Sequence, residues 1–295
     1  MKGLRHGIII LSGILILVIF AIWISEEKTT ETKGDINIKK IFLSTHNKTF
    51  KKIIMSDKMS SVTLVNDNGI WRVKEKYNLP ALGFKVNYLL SGINSSYIEG
   101  PVSLNPKKYH IYGLDENVTK KLKYYLADTT AAEFYVGSRT ADGVGTYIRT
   151  DKVDGVYTAT SALWAYFSAK PIDWIERRIL IYDYDKIERF VISNSSDSVE
   201  LKKNGTEVTR ADGLNLTLDK NTVYSTLRSV GKIYFDDITK DIPAKDPDIE
   251  LIADNTTVYL YVYNGRLYIK PAESEFTYIL DNIYYYENLI KILAG

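Results

Sequence analysis

The sequence predicts an α+β protein with an N-terminal transmembrane helix followed by two duplicated α+β domains that contain mainly antiparallel sheets. Three observations predict this architecture: an uncharged apolar run near the N-terminus, short apolar strands between turn residues, and a constant offset at which the chain resembles itself. A length of 295 residues, 45% of them hydrophobic and 25% charged, is typical of a globular chain of about two domains.

The apolar run Ile8–Ile24 contains no charged residue. At about 1.5 Å per residue it would extend roughly 25 Å as a helix, which is enough for a short membrane span. A cleaved signal peptide is the alternative, but its apolar core is usually about 7–15 residues long and precedes a small-x-small cleavage site. The run is longer than that, and Ala21–Trp23 does not form such a site. An uncleaved transmembrane helix over residues 8–24 is therefore predicted.

Charges on either side of the run predict its orientation. Lys2 and Arg5 precede it, whereas acidic residues follow it, so the positive-inside rule places residues 1–7 in the cytoplasm. The chain is then a single-pass protein of the cytoplasmic membrane, with its bulk outside the cytoplasm. Apart from Lys2 and Arg5 it holds 36 basic and 36 acidic residues. Because nucleic-acid binding depends on many phosphate contacts by basic residues, no nucleic-acid partner is expected.

Residues 25–35 are polar, without apolar periodicity, and are interpreted as a tether. Beyond them an offset of 137 positions aligns the chain with itself and indicates an internal repeat. The aligned pairs are Ser56 and Ser193, Ser61 and Ser198, Val62 and Val199, Leu64 and Leu201, Val86 and Val223, Leu90 and Leu227, Ile93 and Val230, and Tyr97 and Tyr234. The alternative is that two generic amphipathic patterns look alike. The repeats are predicted over residues 36–175 and 176–295, with Pro171–Leu180 as the junction.

Each predicted repeat begins with a hairpin followed by a helix. Asn68-Gly69 and Asn204-Gly205 suit the hairpin turns, because asparagine and glycine readily adopt positive φ. Apolar residues then recur at helical spacing, and Asp219 is a plausible N-cap of the second helix. Alternating aromatic and polar residues predict the remaining antiparallel strands. They cover 134–136, 146–148 and 156–158 in the first repeat, and 258–263, 267–270 and 276–280 in the second.

Residue types that could carry chemistry do not form recognised motifs. The absence of cysteine excludes thiolate metal sites and cysteine nucleophiles, and three scattered histidines do not favour a histidine-rich metal site. No GxSxG or HExxH pattern occurs. The glycine-rich segment Gly137–Gly145 lacks the GxxxxGK[ST] pattern of a phosphate-binding loop and is predicted to be a hairpin loop. No cofactor, metal or catalytic residue is assigned.

Several acidic groups could instead suggest a calcium site or a pair of catalytic carboxylates. They are Asp183 and Asp185, then Asp236, Asp237 and Asp241, and finally Asp246 and Asp248. A calcium loop requires six to eight oxygen ligands and a DxDxDG pattern with a later glutamate, which none of these segments has. They are interpreted as turns or helix caps.

Tyrosine is unusually frequent, with 23 residues. Tyr259, Tyr261 and Tyr263 share one face of a predicted strand and form a candidate partner or ligand surface, because tyrosine offers a large contact area with a polar tip. The alternative is that tyrosine simply has a high strand propensity.

Several segments in this order resemble a known family. They are the strand, turn and tryptophan pattern from Val62–Leu64 to Gly69–Val73, the segment Tyr109–Asp115 (YHIYGLD), the strand Phe134–Gly137, and Asp173–Leu180 (DWIERRIL). Together they resemble the bacterial domain-of-unknown-function family 4340 (DUF4340). This resemblance implies an envelope protein encoded beside ABC-transporter components of the gliding-motility type. It also implies a non-enzymatic role without active-site positions.

The leading hypothesis is therefore a membrane-anchored extracytoplasmic accessory protein of an ABC-type export or envelope complex, whose partner is a transporter permease or another envelope protein. The first alternative is a module that binds cell-wall glycan through the tyrosine-rich strand faces. The second is an envelope hydrolase with an unrecognised carboxylate site, which requires a cleft.

Overall fold

The computed structural model describes residues 49–115, 120–126, 131–205, 207–216 and 218–294. The predicted transmembrane helix (8–24) and tether (25–35) lie outside these ranges. Within them, no helix is both long and apolar enough to span a bilayer. The fold is α+β, with mainly antiparallel sheets and a few helices.

The chain divides into two compact units between Pro171 and Ile172. Unit 1 contains the described residues up to Glu75 and Gly83–Pro171. Unit 2 contains Lys76–Leu82 and the described residues from Ile172 onward. The boundary predicted from the sequence lies a few residues later, between 175 and 176. No sequence pattern indicates the seven-residue excursion at Lys76–Leu82.

Unit 1 is a sheet with two helices. Its strands are β1 (Phe50–Ser56), β2 (Ser61–Asp67), β3 (Ile70–Val73), β5 (Ile98–Ser103), β6 (Lys120–Leu126), β7 (Ala131–Arg139), β8 (Thr146–Thr150) and β9 (Val153–Ala159). Its helices are α1 (Gly83–Ser95) and α2 (Leu163–Tyr166), and a 3₁₀ helix covers Pro106–Tyr112. The short strand β4 (Leu79–Pro80) lies in the excursion.

Unit 2 has a larger set of strands. They are β10 (Arg178–Leu180), β11 (Arg189–Ser193), β12 (Ser198–Asn204), β13 (Glu207–Arg210), β14 (Lys232–Tyr234), β15 (Asp237–Thr239), β16 (Ile249–Ala253), β17 (Thr256–Tyr263), β18 (Arg266–Pro271) and β19 (Thr277–Leu280). Its helices are α3 (Lys220–Gly231) and α4 (Tyr284–Leu293), and a 3₁₀ helix covers Tyr184–Lys186. Another 3₁₀ helix, Pro171–Trp174, begins at the last residue of unit 1.

The large sheets of the two units have the same strand order. In unit 1 the order is β3-β2-β1-β6-β7-β8-β9-β5, and in unit 2 it is β13-β12-β11-β16-β17-β18-β19-β15. Both begin with three strands paired in reverse chain order, then run through four consecutive strands, and end on a strand that comes soon after the helix in the chain. A separate pair, β10 and β14, has no counterpart in the described part of unit 1.

Strand register agrees with this correspondence. One cross-strand row in unit 1 contains Ser56, Lys121, Tyr135 and Arg149. The corresponding row in unit 2 contains Ser193, Glu250, Tyr259 and Lys270. The 137-residue offset carries β2 onto β12, β3 onto β13 and the first residue of α1 onto that of α3. Beyond the helices the strands are spaced differently, so the offset no longer applies.

Each core lies between one face of the large sheet and its helix. Val86, Leu89 and Ile93 of α1 are fully buried in unit 1, as are Val223 and Leu227 of α3 in unit 2. Strand β2 alternates buried and partly exposed residues over most of its length, as expected of a strand with one covered face. The predicted cap is present, because Asp219 Oδ1 accepts a hydrogen bond of 3.0 Å from the backbone N–H of Thr222.

Candidate functional site

The candidate site is a groove of about 540 Å³ in unit 1, a volume within the usual range of ligand sites. Four segments line it: edge strand β5, the loop between β7 and β8, strand β8 at Tyr147, and the end of β9 with the residue that follows it. Its lining residues include Glu99, Val102, Thr140, Asp142, Val144, Tyr147, Thr158 and Thr160. We call this set the β5 groove.

Strand β5 reaches the groove because it follows α1 and pairs with β9 at the sheet edge. Ile98 and Glu99 pair with Ala159 and Thr158, and the register then shifts before Ser103. The chain also closes this edge through Thr160, whose Oγ1 accepts a 2.9 Å hydrogen bond from the Tyr97 N–H.

The loop between β7 and β8 is held by its own hydrogen bonds. Thr140 Oγ1 donates to Asp142 Oδ1 at 2.5 Å and accepts from the Gly145 N–H at 2.7 Å. The Val144 N–H also donates to Asp142 Oδ1, at 3.1 Å. Gly143 completes the turn with a φ of +81°. The hairpin loop predicted over Gly137–Gly145 is therefore present but shorter, because residues 137–139 belong to β7. It presents a fixed carboxylate and an exposed valine to the groove.

Gly145 allows this loop to lie against the end of β9. A Cβ atom at Gly145 would lie 2.7 Å from the Ala159 carbonyl oxygen and 3.1 Å from two side-chain atoms of Thr140. Because the first of these atoms belongs to the backbone, a larger residue could not be accommodated by rotating a side chain. This close approach holds the loop between β7 and β8 against the end of β9, next to Thr158 and Thr160.

The groove is acidic, rich in hydroxyl groups and partly apolar. Glu99 and Asp142 are exposed carboxylates, and no basic residue is among its described lining residues. Arg139 approaches the loop at Gly143 and lies over the Trp164 ring at 5.7 Å. Val102 and Val144 are exposed apolar side chains, Val144 at 62%. The groove therefore complements a ligand with both a cationic and an apolar part.

The Asp142 carboxyl is suited to binding rather than to proton donation. Hydrogen bonds from Thr140 and from the Val144 backbone hold its pKa below the usual range for aspartate. A general acid requires a pKa raised toward neutrality, which is the opposite shift. The arrangement can hold a cation or a hydroxyl-bearing group in place.

Three of the candidate acidic residues make structural contacts. Asp183 caps the 3₁₀ helix at Tyr184–Lys186, and Asp236 accepts a 2.9 Å hydrogen bond from the Asp281 N–H. Asp248 pairs with Lys245 at 2.6 Å and accepts a hydrogen bond from the Val262 N–H at 2.7 Å. Within the described ranges, no cluster of three or more histidine, aspartate or glutamate side chains could hold a metal ion.

Ser229 and Lys232 have the SxxK spacing found in some serine acyltransferases. Ser229 lies in the last turn of α3, whereas Lys232 begins β14. Because the two residues belong to different elements, the helical geometry that this motif requires is not present.

The three candidate tyrosines all lie on β17 but differ in exposure. Tyr263 is 49% exposed, Tyr259 is partly buried, and Tyr261 is only 5% exposed. Burial is the main cause of the raised pKa of Tyr261, with smaller contributions from Tyr259 and Asp246. Tyr263 contacts Tyr268 edge to face, with 6.3 Å between ring centroids. Only Tyr263 of the three therefore offers a large exposed ring.

Sequence reasoning missed the residues of the β5 groove. Glu99 lies on strand β5 and Asp142 in the loop between β7 and β8, and the two belong to no spacing motif. Val102 and Val144 are isolated valines in the sequence. They meet only because β5 pairs with β9, a connection across the sheet that no local pattern encodes. The glycines at 143 and 145 were the available signal, but only for a turn.

Comparisons with known proteins give one family. The model of DUF4340, described as a domain of unknown function, matches residues 71–251. No curated protein matches the chain significantly. A solved structure from Bacteroides fragilis, provisionally described as an outer membrane protein, shares 10% identity and covers 81% of this chain and 97% of its own. Its TM-score of 0.11 is too low to indicate a shared fold. Because the family match spans more than half of the sequence, this chain belongs to the DUF4340 family.

Proposed function

We propose that this chain is a non-catalytic accessory subunit of an ABC-type export or envelope complex, anchored in the cytoplasmic membrane by residues 8–24 with its two units outside the cytoplasm. The observation that carries the proposal is the β5 groove, where exposed apolar and acidic side chains lie together on a rigid support. In this proposal the groove binds a segment of a permease or of another envelope protein.

The chemistry of the groove supports a protein segment as the ligand. Val102 and Val144 offer apolar contact area, while Glu99 and Asp142 complement a lysine or arginine on the partner. Interface cores of this kind combine a few apolar anchors with polar groups that set orientation. A tether to the membrane would raise the local concentration of both proteins, so that even a weak interface would be occupied.

The proposal includes an internal duplication of the body. Identical strand order and the matching rows through Tyr135 and Tyr259 support it. Duplicated units retain a common core while their surfaces diverge. In the corresponding edge strand β15 of unit 2, Ile238 is buried and Asp237 is paired with Lys76. The combination of exposed apolar and acidic groups in the β5 groove is then a specialisation of unit 1.

Photo-crosslinking in cells tests the proposal. A benzoylphenylalanine residue at Val102 or Val144 of the tagged full-length chain should form an adduct with a transporter permease or ATPase after irradiation, identified by mass spectrometry. Met59 provides the control position, because it is 95% exposed in the β1–β2 turn, outside the groove lining. Adducts are expected from both groove positions and not from Met59.

A charge reversal separates specific binding from general proximity. Glu99→Lys should reduce the adduct from Val144 several-fold, because a cationic partner group would meet like charge, whereas Glu207→Lys on edge strand β13 should leave it unchanged. The proposal is wrong if complexes purified after crosslinking never contain a transporter component. Equal adduct yields from Met59 and Val102 would also contradict it.

A further inference from the structure

Helix α1 carries an exposed aromatic patch that the core of unit 1 does not require. Phe84 is 63% exposed and Tyr88 is 57% exposed, one helical turn apart. Their rings meet edge to face at 6.4 Å, and Tyr88 stacks on Tyr166 of α2 with 5.8 Å between centroids and 10° between ring planes. We call Phe84, Tyr88 and Tyr166 the α1 patch.

The patch is held rigidly in place. A Cβ atom at Gly92 would lie 3.3 Å from Leu163 Cδ2 and 3.7 Å from Tyr166 Cδ2, so α1 and α2 approach closely where the glycine allows it. Ser161 Oγ also donates to the Gly92 carbonyl oxygen at 2.9 Å. The two helices that carry the rings are therefore held together, and the stacked Tyr88 and Tyr166 rings would lose little side-chain entropy on binding.

Unit 2 provides an internal comparison. Val86 and Ile93 of α1 correspond at the 137-residue offset to Val223 and Val230 of α3, and all four are buried. At the same offset Phe84 corresponds to Asn221 and Tyr88 to Ser225, and both of these are exposed. The fold thus keeps the apolar residues on the inner face of the helix and does not need aromatic residues on the outer one. The exposed aromatic residues therefore distinguish α1 from α3.

We propose that the α1 patch contacts the lipid surface of the membrane that holds the N-terminal segment. Phenylalanine and tyrosine are favoured at the headgroup boundary, because the ring enters the apolar region while the hydroxyl of tyrosine stays hydrated. Helix α1 suits this surface, since it contains one basic residue, Lys85, and no acidic residue. Anionic headgroups would therefore meet no negative charge on the helix.

Chain length makes the contact possible. The structure describes residues from Thr49 onward, and the predicted span ends at Ile24, which leaves the 24 residues 25–48 between them. Even when fully extended, 24 residues reach at most about 80–90 Å. Unit 1 would remain near the bilayer, so that a patch of three rings could contact the lipid surface even if its intrinsic affinity for lipid were low. This inference depends on the membrane anchoring in the proposed function, but not on the transporter partner.

Site-specific fluorescence quenching tests the contact. The chain has no cysteine, so Ser91→Cys beside the patch and Ser225→Cys on α3 each provide one labelling site for an environment-sensitive dye. The labelled full-length protein is reconstituted in vesicles of three parts phosphatidylcholine to one part phosphatidylglycerol that contain a headgroup quencher. Quenching at position 91 should exceed quenching at position 225 by about two-fold or more if the patch lies at the interface.

The double variant Phe84→Asn/Tyr88→Ser is the matched control, because it introduces the residues of α3 at the same helix positions. It should retain the circular dichroism spectrum and lose the excess quenching at position 91. Equal quenching at both positions, or excess quenching that survives the double substitution, would overturn the inference and leave a protein partner as the occupant of the patch. A protein that does not float with the vesicles would overturn both the inference and the proposed anchoring. Excess quenching without any transporter adduct would support this inference while the proposed partner fails.

Discussion

The carbonyl oxygen of Tyr112 lies directly against Gly137, in the space that a side chain on residue 137 would occupy. A Cβ atom there would also lie 2.8 Å from Leu114 Cγ and 3.0 Å from the Tyr147 carbonyl oxygen. Gly137 ends the Phe134–Gly137 segment, and Tyr112 belongs to Tyr109–Asp115. Two of the segments that carry the family resemblance therefore form the two sides of one contact.

Gly137→Ala should destabilise unit 1 by about 2–3 kcal/mol, because backbone atoms on two sides cannot move away independently of the strands. Urea unfolding followed by circular dichroism measures this change. Gly83→Ala is the control, since a Cβ atom at this first residue of α1 would have no neighbour within 4 Å. A Gly137→Ala protein with an unchanged midpoint would show that the Tyr109–Asp115 segment is not held against β7.

Arg149 should hold the same segment through its guanidinium. That group lies 3.7 Å from the Tyr135 ring centroid and 5.3 Å from that of Tyr109, and its Nε donates to the Leu114 carbonyl oxygen at 3.3 Å. Arg149→Ala removes the stacking and leaves that carbonyl without its donor. Amide hydrogen exchange in Tyr109–Asp115 should become faster by about an order of magnitude, which corresponds to about 1.4 kcal/mol of local opening. Arg139→Ala, which affects a guanidinium stacked on Trp164, should leave exchange in this segment unchanged.

Two buried tyrosines should respond differently to removal of their hydroxyl groups. The Tyr124 hydroxyl in unit 1 is buried and has no hydrogen-bond partner among the described residues, whereas the Tyr182 hydroxyl in unit 2 donates to the Leu227 carbonyl oxygen at 2.5 Å. Tyr124→Phe should be neutral or stabilising, because it removes an unsatisfied polar group. Tyr182→Phe should cost about 1 kcal/mol. Urea midpoints near pH 7 measure both changes, and a larger loss in Tyr124→Phe would contradict the burial of that hydroxyl.

The same residues predict an alkaline loss of stability. Burial raises the pKa of Tyr124 and Tyr182 well above the usual value near 10, and burial together with Tyr224 and Asp185 raises the pKa of Tyr184 to about 12. Below about pH 10 both the folded and the unfolded chain keep these hydroxyls protonated, so the stability is complete. Above it the unfolded chain ionises first, and each buried tyrosine costs up to about 1.4 kcal/mol per pH unit until its folded pKa is reached. Urea midpoints at pH 8 and pH 11 should differ less for Tyr124→Phe than for the unchanged chain.

The sequence predicted the strands and hairpins of this fold better than the long-range contacts between them. Alternation and turn residues indicate hairpins such as β17–β18, where Asn264 and Gly265 both have positive φ, because those signals act between neighbours in the chain. The pairing of β5 with β9 joins strands about 60 residues apart in the chain and depends on assembly of the whole sheet. Neither the β5 groove nor the position of its carboxylates could therefore be predicted. Tyr261 illustrates the same limit. Its alternation with Tyr259 and Tyr263 indicated a shared face, but its burial depends on other parts of the fold.

The contact between α3 and α4 should show coupling between two buried polar residues. Asn288 Nδ2 donates to Thr226 Oγ1 at 3.1 Å, and both side chains are buried. At the 137-residue offset Thr226 corresponds to Leu89 in unit 1, where α2 is much shorter than α4. Thr226→Leu alone should cost about 1–3 kcal/mol, because it leaves the Asn288 amide buried without a partner. Thr226→Leu combined with Asn288→Leu should recover most of that loss, since the pair then becomes apolar. A double-mutant cycle in urea measures the coupling, and strictly additive changes would show that the two residues do not interact.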